Sequence, residues 1–169
     1  PRDDLASALV HAEVDGRKLD ARGFGMFFIL LILAGNETTR NALSGGMLAF
    51  SEHPEQQRRL VADPSLFPRA TEEILRFVSP VITMRRTATR EVEIGGRSLP
   101  EHAKLVLCYP AANRDAAVFD APDRFDVARD PNPQLAFGYG PHYCLGANLA
   151  RAEIRLMFEE LFRRLPAIE

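Results

Sequence analysis

Hydrophobic and polar positions change their period along the chain. The changes mark a long helical first part, a short β-rich middle and a helical end. Asp4 to Ala12 has the pattern of a helix end, and Val14 to Leu19 reads as a turn with Gly16 at its tight position. Asp20 suits an N-cap for a long helix running to about Glu52, where Pro54 stops it. Two shorter helices follow, Pro54 to Ala62 and Leu66 to Val78, the second closed by Pro80. From Val81 to Leu99 the period shortens to alternation with β-branched residues, and Gly95-Gly96 marks a hairpin turn. Lys104 to Cys108 is a further strand, and Ala111 to Phe119 a helical turn. Asp120 to Gly140, rich in Pro, Asp and Gly, predicts an irregular but ordered loop. Leu145 to Leu165 predicts a closing amphipathic helix with Leu149, Ala152, Leu156 and Leu161 among its apolar positions. The fold class is therefore mainly α with a small β-sheet.

The longest apolar stretch, Phe24 to Ala34, lies between Arg22 and Glu37. A membrane span needs about 20 apolar residues, so the stretch predicts a buried core helix and no membrane anchor. Its 169 residues are enough for one domain with a core. A net charge of −2 gives no basic footprint for nucleic acid or acidic lipid. Two cysteines, Cys108 and Cys144, are too few for a disulfide scaffold. They suit a reducing compartment, and hence a cytoplasmic setting, or a thiolate that does chemistry.

Phe137-Gly-Tyr-Gly-Pro-His-Tyr-Cys-Leu-Gly146 carries the main chemical signal. Its glycines allow positive φ and close backbone approach. Cys144 sits at the start of the last helix, where amides and the helix dipole favour a thiolate. A phosphatase-like loop would place an Arg directly after the Cys, whereas Arg151 is seven residues on. Zinc would need four ligands, and His142-x-Cys144 supplies two. Within the long helix, Ala34-Gly-Asn-Glu-Thr-Thr39 interrupts the apolar run. Thr38 can return its hydroxyl to the Ala34 carbonyl. These two share a face with Leu30 and Leu31, while Glu37 is offset by about 100°. The alternative is a helix break, with Gly35 ending one segment and Asn36 capping the next.

The cysteine loop resembles the signature of the cytochrome P-450 superfamily, Phe-Gly-x-Gly-x-His-x-Cys-x-Gly. Phe137, Gly138, Gly140, His142, Cys144 and Gly146 fill its fixed positions. At about 5% usage per residue type, a chance match at one site is on the order of 10⁻⁸. The acid–alcohol pair Glu37-Thr38, the sequence Glu73-Ile-Leu-Arg76, Arg86 and Pro122-Asp-Arg-Phe125 follow in the family's order. The resemblance implies that Cys144 is the thiolate ligand of haem b. It implies that Phe137, Gly138 and Gly146 take part in binding the haem, Gly146 by letting the haem face lie against the last helix. His142 and Arg86 would bind the propionates, Arg85 being the rival of Arg86. Ala34 and Thr38 would line the distal wall, with Thr38 steadying a water near dioxygen and Glu37 relaying protons. Glu73, Arg76 and Arg124 would lock the cysteine loop onto the core.

The family's activity is insertion of one atom of dioxygen into a C–H bond, with electrons from ferredoxin and its reductase. The expected substrate is a lipophilic small molecule, with a lean to steroids, methyl-branched lipids or terpenoids. A full member is more than twice as long. The expectation is that residues 1–169 are the C-terminal haem-ligating part of a cytochrome P-450 domain. The N-terminal half and substrate lid would be absent, and the chain alone would be inactive. Two other classes compete. A non-catalytic haem-binding protein would keep Cys144 without needing Glu37 and Thr38. A Cys-nucleophile hydrolase would use His142 as base and would show a freely reactive thiol.

Overall fold

The computed structural model describes residues 2–166 and 168. The chain divides into two compact units, residues 1–38 and 39–169, where the sequence suggested one domain. In the first unit, α1 (Leu5–His11) starts at Asp4, whose carboxylate accepts the Ser7 amide. A hairpin follows, β1 (Glu13–Val14) and β2 (Arg17–Lys18), turning at Asp15-Gly16. The long helix α2 (Ala21–Glu52) then begins, and Asp20 caps it by accepting the Gly23 amide at 2.6 Å. It is unbroken through Gly35-Asn36, which excludes a helix break there.

The expectation of a buried core helix is corrected over the first half of α2. Met26, Ile29, Leu30, Ile32 and Leu33 are all exposed. The physical reason is the size of this unit. A seven-residue helix that buries nothing and a hairpin of two-residue strands cannot cover an apolar helix.

The second half of α2 behaves oppositely. Thr39, Ala42, Gly46, Ala49 and Phe50 form one buried face. A Cβ on Gly46 would come within 3.0 Å of both Ile74 and Phe158, so the bare backbone lets those two side chains pack tightly there. The other elements are α3 (Pro54–Ala62), a 3₁₀ turn at Pro64–Leu66, α4 (Phe67–Val78) and α6 (Ala147–Arg164). Phe50 is the hub of the core, with ring centroids 5.3 Å from Phe125, 5.3 Å from Phe158 and 5.0 Å from Phe162. Such edge-to-face contacts add about 0.5–1.5 kcal/mol each beyond burial.

The β region is two small antiparallel ladders in this unit. β3 (Thr83–Thr87) pairs with β6 (Lys104–Cys108), and β4 (Val92–Ile94) pairs with β5 (Arg97–Leu99) through the Gly95-Gly96 turn. Two further elements depart from the sequence reading. The helical turn α5 is Tyr109–Ala112, earlier and shorter than expected, with Asn113 as its C-cap. On α6 the buried stripe is Ala147, Ile154, Phe158 and Phe162, while Leu149 and Leu156 are exposed. Both sets have helical spacing, and packing against Phe50 of α2 selects between them.

Candidate functional site

A buried charge is costly unless it is fully paired. Glu73 and Arg76 on α4 are both completely buried and meet that requirement. Arg76 grips Glu73 with two bonds, Nε to Oε2 at 2.8 Å and Nη2 to Oε1 at 2.9 Å. Its remaining donors reach the carbonyls of Asn113, Pro122 and Arg124. Glu73 also accepts from the Asp126 amide, the Asn132 amide group and Arg129 Nε, the last at 3.1 Å. The third cation of this cluster is therefore Arg129 rather than Arg124. Arg124 contributes only its carbonyl, and its mostly exposed side chain lies 3.6 Å from Asp126. The carboxylate faces the segment after Phe125, so the arginine that follows the turn reaches it. Asn113, fully buried, bonds Ser79 Oγ and accepts the Leu135 amide. This fastens the irregular segment that leads into the cysteine loop.

That loop is shaped by its own backbone. Gly138 and Gly140 sit at φ of 76° and 73°, a region that side chains disfavour. The Gly138 amide donates to Leu135, the Tyr143 amide to Gly140, and the Cys144 amide to the Phe137 carbonyl at 2.9 Å. The Cys144 carbonyl then accepts the Ala147 amide, so the cysteine stands at the mouth of α6. Helix α6 begins at Ala147, with Gly146 as N-cap.

Cys144 is exposed, and so are His142 and Gly146. A Cβ on Gly146 would meet open space. Phe137 is half-buried against the core, and the space beside Gly138 is taken by Tyr109 Oη, 3.5 Å from where a Cβ would stand. Tyr139, Leu145 and Leu149, close to Cys144 in sequence, are exposed apolar side chains. Among the described residues no group of three or more His, Cys, Asp or Glu could hold a metal ion. A single sulfur with an open, apolar approach suits a metal whose other ligands come from an apolar macrocycle, and the residues present fit haem in that respect. Arg86, on β3 opposite Leu105, is half-buried and donates to the Arg85 carbonyl, whereas Arg85 is exposed.

In the first unit, Thr38 Oγ1 donates to the Ala34 carbonyl at 2.6 Å, the back-bond expected from their spacing. Ala34 and Glu37 are exposed, and Thr38 is half-buried. Thus the structure gathers Phe137, Gly138, His142, Cys144 and Gly146 on one loop, and Ala34, Glu37 and Thr38 on one helical turn.

Sequence reasoning missed Arg129, Asn132 and Asn113 around Glu73, and Glu72, Arg151 and Tyr143 beside the cysteine loop. The paired acids Glu72-Glu73 are the one visible signal for the second group. Among the described residues, no helix is long and apolar enough to cross a membrane.

Comparison with known proteins gives the family. The family model for cytochrome P450 matches residues 65–166. The chain is 54% identical over 168 residues to a methyl-branched lipid omega-hydroxylase of Mycobacterium tuberculosis, covering 98% of this chain and 39% of that protein. A Mycobacterium marinum cytochrome P450 in complex with pseudoionone superposes with a TM-score of 0.94 at 46% identity, covering 99% of this chain and 41% of that one. A Bacillus megaterium relative in complex with testosterone gives a TM-score of 0.95 at 39% identity, covering 99% and 46%. The chain thus spans about two-fifths of the length of the curated relatives it matches. The cysteine loop, the buried Glu73–Arg76 cluster and these matches converge, and the chain belongs to the cytochrome P450 family.

Proposed function

We propose that residues 1–169 form the thiolate-bearing part of a haem-dependent monooxygenase. It would insert one atom of dioxygen into a C–H bond of a lipophilic small molecule. The observation that carries this reading is the Cys144 loop, which presents an exposed thiol at a helix mouth beside an N-cap glycine with open space above it. When bound, haem supplies the oxygen activation and the oxidising power.

The chain's own residues do the rest. Cys144 would supply the sulfur that holds the haem iron, and the α6 mouth favours the anion. Gly146 leaves room for a flat face. Arg86 and His142 would donate hydrogen bonds to the propionates, Arg86 by a fork suited to a carboxylate. Phe137 and Gly138 keep the loop in shape. The Thr38 hydroxyl proton is committed to the Ala34 carbonyl, so its oxygen is free to accept from a water and hold it beside Ala34. Glu37, exposed and adjacent, takes protons from bulk water and passes them to that water.

The pseudoionone and testosterone bound by the two structural relatives, and the lipid named for the curated one, support a steroid, branched-lipid or terpenoid substrate. Electrons would come from ferredoxin and its reductase, in the cytoplasm. Haem has two faces to cover, and Met26, Ile29, Leu30 and Leu33 stand exposed. We therefore expect the 169-residue chain alone to hold haem weakly and to be inactive.

The test is a chimera joining this chain to the N-terminal part of the 54%-identical lipid hydroxylase. Its reduced, carbon-monoxide-bound spectrum should show the strongly red-shifted Soret band of thiolate ligation. A histidine-type Soret band, or no haem, overturns the assignment.

A further inference from the structure

Arg151 lies just inside α6, seven residues after Cys144, and its guanidinium touches both limbs of the cysteine loop. Nη1 donates to Tyr143 Oη at 3.2 Å, and the guanidinium carbon stands 4.6 Å over the Phe137 ring. Tyr143 immediately precedes Cys144, and the Phe137 carbonyl accepts the Cys144 amide. The two aromatic rings are themselves 6.2 Å apart.

The guanidinium is in turn fixed from α4. Glu72 accepts from Nε at 2.6 Å and from Nη2 at 3.2 Å. Gln134 steadies the carboxylate, donating to Oε2 at 2.9 Å while its own oxygen accepts the Ala136 amide. The pair is about two-thirds buried, with side-chain exposures of 33% for Arg151 and 28% for Glu72. The Glu72 bonds hold the Arg151 guanidinium above the usual arginine range. A planar fork with three hydrogen bonds to two partners and a ring beneath it fixes a direction, which a lysine ammonium cannot do.

We propose that Glu72 and Arg151 are positioning residues that hold the Cys144 loop in its ligand-binding shape, acting through Tyr143 and Phe137. This rests on the reading of Cys144 as the haem ligand. Glu73 secures the segment before the loop, and its neighbour Glu72 secures the loop itself. Misplacement of a ligand by about 1 Å is enough to spoil such a site.

Two measurements test this on Glu72→Gln, Arg151→Lys and Tyr143→Phe. In the 169-residue chain, hydrogen exchange at the Tyr143 and Cys144 amides should be about tenfold faster in the first two variants, with a smaller gain in the third. Amides inside α4 and α6 should be unchanged. In the haem-loaded chimera, Glu72→Gln and Arg151→Lys should lower the share of protein with the thiolate-type Soret band, and combining them should add little.

Loop exchange within twofold of the parent, or equal acceleration throughout α4 and α6, overturns the clamp. Faster loop exchange with an unaltered spectrum overturns its positioning role. Absence of the thiolate band in the parent sinks the haem assignment instead, and loop exchange still decides the clamp.

Discussion

Helix α4 carries two adjacent glutamates that serve neighbouring segments in opposite ways. Glu73 is fully buried, and its partners Arg76, Arg129, Asn132 and the Asp126 amide tie it to the segment after Phe125. Glu72 is partly exposed and holds, through Arg151, a loop whose cysteine and N-cap glycine face solvent. The difference separates a foundation from a working surface. A buried network gains rigidity because breaking it strands a charge in a dry interior. A loop that must accept a ligand keeps its reactive atom open and takes its order from a clamp at one side.

The largest expected effect breaks the working surface and spares the foundation. Cys144→Ala in the chimera should abolish the thiolate-type Soret band completely. In the 169-residue chain without haem, the melting midpoint should stay put on the same substitution, because an exposed side chain contributes within about 0.5 kcal/mol. A retained band would remove Cys144 from the ligand role.

The converse variant breaks the foundation. Arg76→Ala leaves Glu73 buried without its main partner and should cost about 3–5 kcal/mol in urea unfolding. A loss below about 1 kcal/mol, the size of a surface pair, would show that the cluster is not the anchor.

A third variant probes the first unit. Thr38→Ala should leave helix content unchanged, since the Ala34 carbonyl is already bonded within an unbroken helix. In the chimera it should lower product formed per electron pair by about a hundredfold. Equal coupling in parent and variant would reduce Thr38 to a helix residue.

The smallest effect is in acid stability of the foundation's rim. Burial alone would raise Asp126, but the Ala128 amide and the Arg59 guanidinium outweigh it and hold the carboxyl below its ordinary value of 3.8. A depressed folded value means the contribution is complete above the unfolded value and disappears as pH falls through the folded one. Asp126→Asn should therefore flatten the acid limb of the stability curve below about pH 4, with little change at pH 7 beyond about 1 kcal/mol. An unchanged acid limb in the variant would assign that dependence elsewhere.

Much of the fold was legible in local sequence. Asp20, Pro54 and Pro80 bracket helices because caps and missing amides act within a few residues. The Thr38–Ala34 bond was legible for the same reason, since four residues on a helix fix the partner. The cysteine loop was legible because its glycines, histidine and cysteine keep fixed spacing. Arg124 and Arg129 were not separable, because both lie in an irregular segment where no period says which side chain turns inward.

By itself, the sequence determined the helix limits, the hairpin turns, the cysteine loop and the family resemblance, all of which depend on residues near one another in the chain. Tertiary structure alone decided that α6 buries Ile154, Phe158 and Phe162 instead of Leu149 and Leu156. It also decided that Arg129 completes the Glu73 cluster and that Glu72 reaches Arg151. Each of these is a choice between locally equivalent side chains. Such choices are settled by the packing and desolvation of partners tens of residues away, which no local pattern encodes.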